Sequence, residues 1–229
     1  GDAGAVAVVD IPLTGERAWT LRFIPRHETE ARTLDEHPGD ADVPSLVPSI
    51  SVGEDSVVWS SFDRGADGPV SQLLEASAPA WEPRVLLQVP AAEAELWWPS
   101  ILGGLVVFTE VRYAPDRLSD ERHVYLMDAR DPDGRRRLDT GGRATMPLIV
   151  RGAVLWKEAD PGFNMFNWGR MYRFDLETEA LSRVDSSPQE YVNYPSAGGR
   201  FVAWRSADSF ALGVYDHLLD EARLIERSG

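Results

Sequence analysis

The 229-residue sequence contains no cysteine, which excludes disulfides and thiolate metal sites and leaves the redox compartment open. Positive charge is also scarce: 23 Lys and Arg stand against 37 Asp and Glu, a formal net charge of −14. Such an excess repels phosphate backbones, so nucleic acid is not an expected partner. The one basic run, Arg135-Arg136-Arg137, has Asp131, Asp133 and Asp139 around it and reads as a solvated turn. No uncharged apolar run approaches the roughly 20 residues that a bilayer span needs, so membrane insertion is not expected. The opening stretch from Gly1 to Val9 lacks the basic region with which a targeting peptide starts.

Catalytic signatures are missing as well. There is no Gly-x-Ser-x-Gly elbow, His-Glu-x-x-His pair, phosphate-binding glycine loop or dinucleotide fingerprint. Neither an enzyme nor a cofactor is therefore expected. The four histidines, His27, His37, His123 and His217, fall in unrelated contexts and read as solvated side chains rather than metal ligands. Asp131-Pro132-Asp133-Gly134 shares part of a calcium-loop pattern but not its full spacing, and reads as a tight turn between strands. No metal site is expected.

What the sequence does hold is a repeat. An apolar content of 43% with eight Trp, eight Phe and six Tyr supplies the core of one domain. Pro48-Ser49-Ile50, Pro99-Ser100-Ile101, Pro147-Leu148-Ile149 and Pro195-Ser196-Ala197 recur at separations of 51, 48 and 48 residues. After each come glycine and an apolar run closing on an aromatic: Val57-Val58-Trp59, Val106-Val107-Phe108, Val154-Leu155-Trp156 and Val202-Ala203-Trp204. That is a β-hairpin. A third strand follows at Val124–Asp128, Met171–Asp175 and Leu212–Asp216, and a short half-polar fourth at Arg84–Leu87, Arg136–Leu138, Leu181–Val184 and Ala222–Ile225. Four antiparallel strands make a propeller blade. Such a sheet leaves both faces bare until a neighbouring copy covers each, so Trp59, Phe108, Trp156 and Trp204 read as core between blades. The aspartates ending third strands, Asp128, Asp175 and Asp216, with Asp10 earlier, read as acceptors for the amides of the next turn.

The expected fold is an all-β propeller of four-stranded blades over residues 46–90, 97–140, 145–186 and 193–228. Residues 5–25 match only the last two strands of a unit, and 26–45, charged and punctuated by Gly and Pro, read as a connecting loop. Five blades are expected, with one incomplete or assembled from the termini. Four blades and a fragment of a larger ring is the rival.

The Pro-Ser-Ile, Gly, Val-Val-Trp pattern, followed by a Tyr-containing strand ending in Asp, resembles the TolB-like, WD-repeat-like propeller repeats of bacterial proteins. The match spans residues 46–228, with a partial copy at 6–23. The Ser-Pro-Asp-Gly turn of such repeats is replaced by Val52-Gly53-Glu54-Asp55 and Ile101-Leu102-Gly103-Gly104. The resemblance implies a periplasmic, cell-surface or secreted protein of a bacterial envelope that serves as a platform for protein contacts.

A five-bladed glycosidase is the competing class, but its carboxylates would project from innermost strands, where this repeat carries none. Glu110 and Glu158, two residues past the repeated aromatic, could act together only if adjacent blades converge there. Function in propellers concentrates in loops that break the repeat. The most irregular loop lies between Lys157 and Arg170, where Phe163, Asn164, Phe166, Asn167 and Trp168 mix aromatics with Asn as binding surfaces do. Of Trp97 and Trp98, strand alternation sends one inward and leaves Trp97 as a candidate channel-rim contact. The expected function is a non-catalytic scaffold that binds a protein or peptide, and the alternative is a sugar-binding or glycoside-hydrolase-type propeller using exposed aromatics as stacking platforms.

Overall fold

The computed structural model describes residues 6–11, 18–37, 39, 48–114, 120–139, 141–159, 169–184, 192–206 and 211–225. Within them, nineteen strands form five antiparallel sheets. Sheet 1 has three strands, β1 (Val6–Asp10), β2 (Trp19–Ile24) and β3 (Arg32–His37). Sheet 2 runs through β4 (Ile50–Val52), β5 (Ser56–Gly65), β6 (Gly68–Ser77) and β7 (Arg84–Pro90). Sheet 3 comprises β8 (Ala94–Leu102), β9 (Leu105–Arg112), β10 (Glu121–Asp128) and β11 (Asp131–Arg137). Sheet 4 comprises β12 (Ala144–Val150), β13 (Ala153–Glu158), β14 (Arg170–Asp175) and β15 (Leu181–Arg183). Sheet 5 comprises β16 (Val192–Gly198), β17 (Phe201–Ser206), β18 (Leu212–Asp216) and β19 (Glu221–Ile225).

Each four-stranded sheet is a meander in chain order, and β4, β8, β12 and β16 are its innermost strands. Alternation along the second strand then divides the residues between two neighbours. Trp59 packs with Trp19, Leu21 and Phe23 of sheet 1, and Phe108 with Val58 and Leu73 of sheet 2. Trp156 meets Val107 and Val124 of sheet 3, while Trp204 meets Leu155 and Met171 of sheet 4. All four aromatics are fully buried, each filling the gap to the preceding sheet, as the repeat implies. Innermost strands are also tied by hydroxyls: Ser51 Oγ accepts the Ile101 amide at 3.3 Å, and Ser100 Oγ accepts the Ile149 amide at 3.2 Å.

The strand-end aspartates act on the following turns. Asp128 accepts the Arg130 amide at 2.8 Å, Asp175 the Glu177 and Thr178 amides at 3.1 and 2.9 Å, and Asp216 the Leu218 and Leu219 amides at 3.1 and 3.3 Å. The Arg130 side chain holds the Asp128 carboxyl down to about 2, and bonds from Thr178 do the same for Asp175. Asp10 pairs with Arg22 across β1 and β2 at 3.2 Å, and the turn after it lies outside the described residues.

Three expectations need correction. Residues 32–37, read as part of a loop, form β3: Leu34 and His37 are buried while Thr33 and Glu36 are exposed, and the half-buried Asp35 accepts the Trp59 indole N–H at 2.8 Å. Residues 131–134, read as a turn, open the edge strand β11, because Asp128 pairs directly with Asp131 and leaves Ala129 and Arg130 to make the turn. Pro132 is tolerated there, since an edge strand has amides that need no ladder partner. Thirdly, three of the histidines are buried rather than solvated. His37 stacks on Trp19, His123 lies 3.1 Å from Asp139 and 3.2 Å from Glu121, and His217 lies 3.1 Å from the Gly199 carbonyl.

Candidate functional site

The innermost strands enclose a channel. One cavity of about 480 Å³ runs beside Ser51, Ser100, Ile149 and Gly198 near the hairpin ends. A second of about 340 Å³ opens where these strands begin, lined by Trp98, Met146, Tyr194 and the prolines that follow them. The two share Ile50, Pro99, Leu148 and Ser196. Arg151 is the only charged residue among the described lining residues, so the channel wall presents hydroxyls, aliphatic groups and aromatic rings.

The mouth is built by one local device used three times. Trp98, Met146 and Tyr194 adopt left-handed φ values of 47°, 53° and 48°. Each precedes a proline, and each sits where the pairing register breaks, between Trp97 and Ser100, Thr145 and Leu148, or Asn193 and Ser196. A β-bulge places an extra residue on one strand and re-aims its side chain. The left-handed region costs a non-glycine residue on the order of 1 kcal/mol or more, and the residue before a proline ordinarily prefers extended backbone. Three large side chains held in this geometry at equivalent positions are therefore a costly feature, and what they share is the channel mouth. Tyr194 is 61% exposed.

Strand alternation pointed to Trp97 for this role, and the bulge gives it to Trp98 instead. Trp97 is half-buried, its indole donating to Glu95 at 2.7 Å and its ring meeting Phe62 edge-on and Trp98 at a tilt. Phe163, Asn164, Phe166, Asn167 and Trp168 lie outside the described residues. The ends of their loop are described: Glu158 pairs with Ala144 and Arg170, which puts both ends beside the start of β12, at the mouth. β9 and β17 end toward the same side of their sheets, Arg112 opposite Ala94 and Ser206 opposite Val192.

The candidate carboxylate pair does not converge. Glu110 shares a face with Phe108, toward sheet 2, and is buried against Arg112 at 2.6 Å. Glu158 shares a face with Trp156, toward sheet 3. Among the described residues no group of three His, Asp or Glu could hold a metal ion.

Lys157 is displaced well away from its ordinary behaviour. It is fully buried between sheets 4 and 5, its stem so close to Gly169 that a Cβ there would lie 2.6 Å from Cγ. Burial, helped by the Arg122 charge, pushes its ammonium down to about 8. Its place in the repeat, after the core aromatic, makes it a packing residue, and it is not among the residues that line the channel. Because the folded value lies below the unfolded one, the folded state carries the full cost below pH 8. Between pH 8 and about 10.4 the unfolded chain binds more protons, so stability rises with pH, by at most about 3 kcal/mol. The Lys157→Met variant should be the more stable protein at pH 7 and lack this rise, measured by urea unfolding at pH 7 and 9.5. That range stops short of the Tyr215 phenol, pushed up by burial, whose contribution falls as pH climbs past the unfolded tyrosine value. Equal pH slopes in parent and variant would count against the assignment.

No protein-family model and no curated protein matches the sequence. Among solved structures, the chain is similar to TolB from Acinetobacter baumannii, at a TM-score of 0.63 and 15% identity, over 100% of this chain and 54% of that one. The propeller domain of the trilobed protease from Pyrococcus furiosus is similar at 0.64 and 11%, over 98% and 66%. An oligogalacturonate lyase in complex with manganese follows at 0.57 and 16%, over 92% and 62%. The chain thus spans about half the length of the TolB chain and under two thirds of the lyase. These likenesses are of architecture, across proteins of different activity: the chain has the β-propeller fold.

Proposed function

We propose that this propeller is a non-catalytic binding module that takes an extended segment of a partner protein at the channel mouth framed by Trp98, Met146 and Tyr194, in a bacterial envelope setting. The observation that carries this is the threefold use of a left-handed residue before proline to turn bulky side chains toward one opening. Backbone strain of this kind clusters at ligand sites, where the surrounding structure holds it in place. Aromatic anchors beside a concave opening supply most of the energy in peptide recognition. The described channel wall lacks the acid–base pair that hydrolysis would need, which favours binding over turnover. The composition of the segment that follows Glu158, Phe163, Asn164, Phe166, Asn167 and Trp168, suits contact with a protein partner.

A saccharide is the second reading, because the Trp98 and Tyr194 rings are also stacking platforms and an oligogalacturonate lyase is among the similar structures. The discriminating experiment compares capture from an envelope extract and binding on a glycan array for the parent, Trp98→Ala/Tyr194→Ala and Phe163→Ala/Phe166→Ala/Trp168→Ala. A protein captured by the parent and lost by the first variant supports the mouth. Glycan binding lost by that variant supports the saccharide. A ligand retained by both variants removes the mouth and the loop together. Tyr194→Gly adds a further check: relief of the left-handed backbone should leave the protein as stable or more so, by up to about 1 kcal/mol, while binding falls. A loss of stability in thermal unfolding would show that Tyr194 is there for packing.

A further inference from the structure

We infer that the channel mouth takes an arginine side chain presented by the partner segment; this rests on the reading of the mouth as the binding site and names the chemistry it selects. In an antiparallel pair the N–H and C=O of one residue point to the same side, and successive residues alternate between facing the ladder and facing away from it. On β8 and β12 the two-residue turns at Gly103-Gly104 and Arg151-Gly152 set that alternation. Ser100 and Leu148 face the ladder, while Pro99, Ile101, Pro147 and Ile149 face away, beside the cavities they line. Every amide on these free edges is absent or already bonded. Pro99 and Pro147 have none, the Ile101 amide donates to Ser51 Oγ at 3.3 Å, and the Ile149 amide donates to Ser100 Oγ at 3.2 Å. What the edges of β8 and β12 offer a ligand is therefore carbonyl oxygen. A carboxylate, or a segment that needs backbone N–H partners, finds no such donor there, whereas a group rich in N–H does.

Three further features make that group a cation. The Trp98 and Tyr194 rings line one cavity at the mouth, and the face of an aromatic ring attracts positive charge. Met146 beside them adds a polarizable thioether without charge. Arg151, the one charged residue of the described lining, sits in the β12–β13 turn at the other end of the channel. It leaves the rings at the mouth without a competing cation and repels a bound one from moving deeper. The chain as a whole carries −14, which draws a basic segment toward it and makes the association sensitive to salt. Guanidinium suits the site better than ammonium, because its N–H donors lie in one plane, can reach carbonyls of two strands and leave its face free to stack on a ring. No carboxylate is among the described lining residues, so a single arginine binds only modestly, in the millimolar range, and the rest of the segment supplies the remaining affinity.

An NMR chemical-shift titration with N-acetyl-argininamide tests this, with N-acetyl-citrullinamide, the uncharged analogue of nearly the same shape, as the comparison. The expected result is that argininamide binds at least about 10-fold more tightly than citrullinamide, with the largest shifts at Trp98 and Tyr194, and that added salt weakens it. Trp98→Leu/Tyr194→Leu should weaken argininamide by about 10-fold with circular dichroism unchanged, whereas Tyr194→Phe, which keeps the ring, should bind as the parent does. The inference is overturned by equal binding of the two probes, by argininamide shifts away from the mouth, or by binding that survives Trp98→Leu/Tyr194→Leu. Its failure is distinct from failure of the mouth itself. A protein captured from the envelope extract, lost by Trp98→Ala/Tyr194→Ala and not released by excess argininamide would keep the mouth and remove the arginine. Capture and probe binding that both ignore the mouth variants would remove the two together.

Discussion

Gly213→Ala should lower stability by about 3 kcal/mol or more, the upper range for forcing an atom into a filled core. Gly213 lies directly opposite Trp204 in the pairing of β17 and β18. A Cβ at that position would sit 2.0 Å from Trp204 Cε2 and 2.2 Å from Nε1, well inside contact distance, and the indole is fully buried with no room to withdraw. The repeat explains the glycine. In sheets 3 and 4 the matching residues are Tyr125 and Tyr172, whose rings stack on Phe108 and Trp156 at 5.6 and 6.3 Å. Sheet 5 moves its aromatic two places on, to the buried Tyr215, and lets Trp204 lie over the vacated position. In thermal unfolding the predicted loss corresponds to a fall of roughly 6–12 °C for a domain of this size. Gly198→Ala, where nothing lies within 4 Å of the added Cβ, is the matched control and should change little. Trp204→Phe should recover part of the loss in the double variant, and if Gly213→Ala behaves like Gly198→Ala the account of Trp204 packing is wrong.

The repeat was legible because its signals are of the kind that survive in one sequence: prolines and aromatics spaced about 48 residues apart, and glycines between β-branched runs. What was not legible follows from the same physics. In β6 neither the tyrosine nor the terminal aspartate of the other third strands is present, so its only sequence mark is the Gly65-to-Gly68 hairpin. In β3 just two residues, Leu34 and His37, are buried, and they stand three apart across a register shift, which no strand alternation matches, while its anchor to Trp59 is a contact across 24 positions that no local pattern announces. The Asp131–Gly134 strand was hidden by turn-like composition on an edge, where Pro and charge cost little.

The channel mouth is the instructive failure. Alternation assigns Trp97 and Trp98 to opposite faces, and a single bulge before Pro99 reverses which of them serves the channel. A signal did exist in the recurrence of a bulky residue before each proline, Trp98, Met146 and Tyr194. Recognising it requires knowing that these residues are left-handed, which their side chains give no reason to expect. The candidate loop beyond Glu158 stands out by its composition, whereas the position of its two described ends beside the start of β12 follows only from strand pairing.

Trp59→Ala should be the most damaging single truncation near the first sheet, at about 3–5 kcal/mol for removing a buried aromatic of this size. Trp59 is fully buried, joins sheets 1 and 2 in one cluster with Trp19, Leu21 and Phe23, and also donates to Asp35 on β3. Trp59→Phe separates these two contributions. Phenylalanine fills the equivalent place in sheet 3, so most packing survives, while the Asp35 carboxylate loses its donor at a cost of about 1–3 kcal/mol. Asp35→Ala should cost a similar amount in the parent and almost nothing further in the Trp59→Phe background. Hydrogen exchange adds a spatial test: loss of this bond should raise exchange first at the β3 amides of residues 32–37, ahead of β5 and β6, because Asp35, beside the Arg32 bond to the Ala80 carbonyl and the packing of Leu34, helps fasten the edge of sheet 1 to its neighbour. Additive losses in the double variant, or β3 amides as protected as before, would mean that apolar contact alone holds β3 in place and that the buried indole gains nothing from its partner.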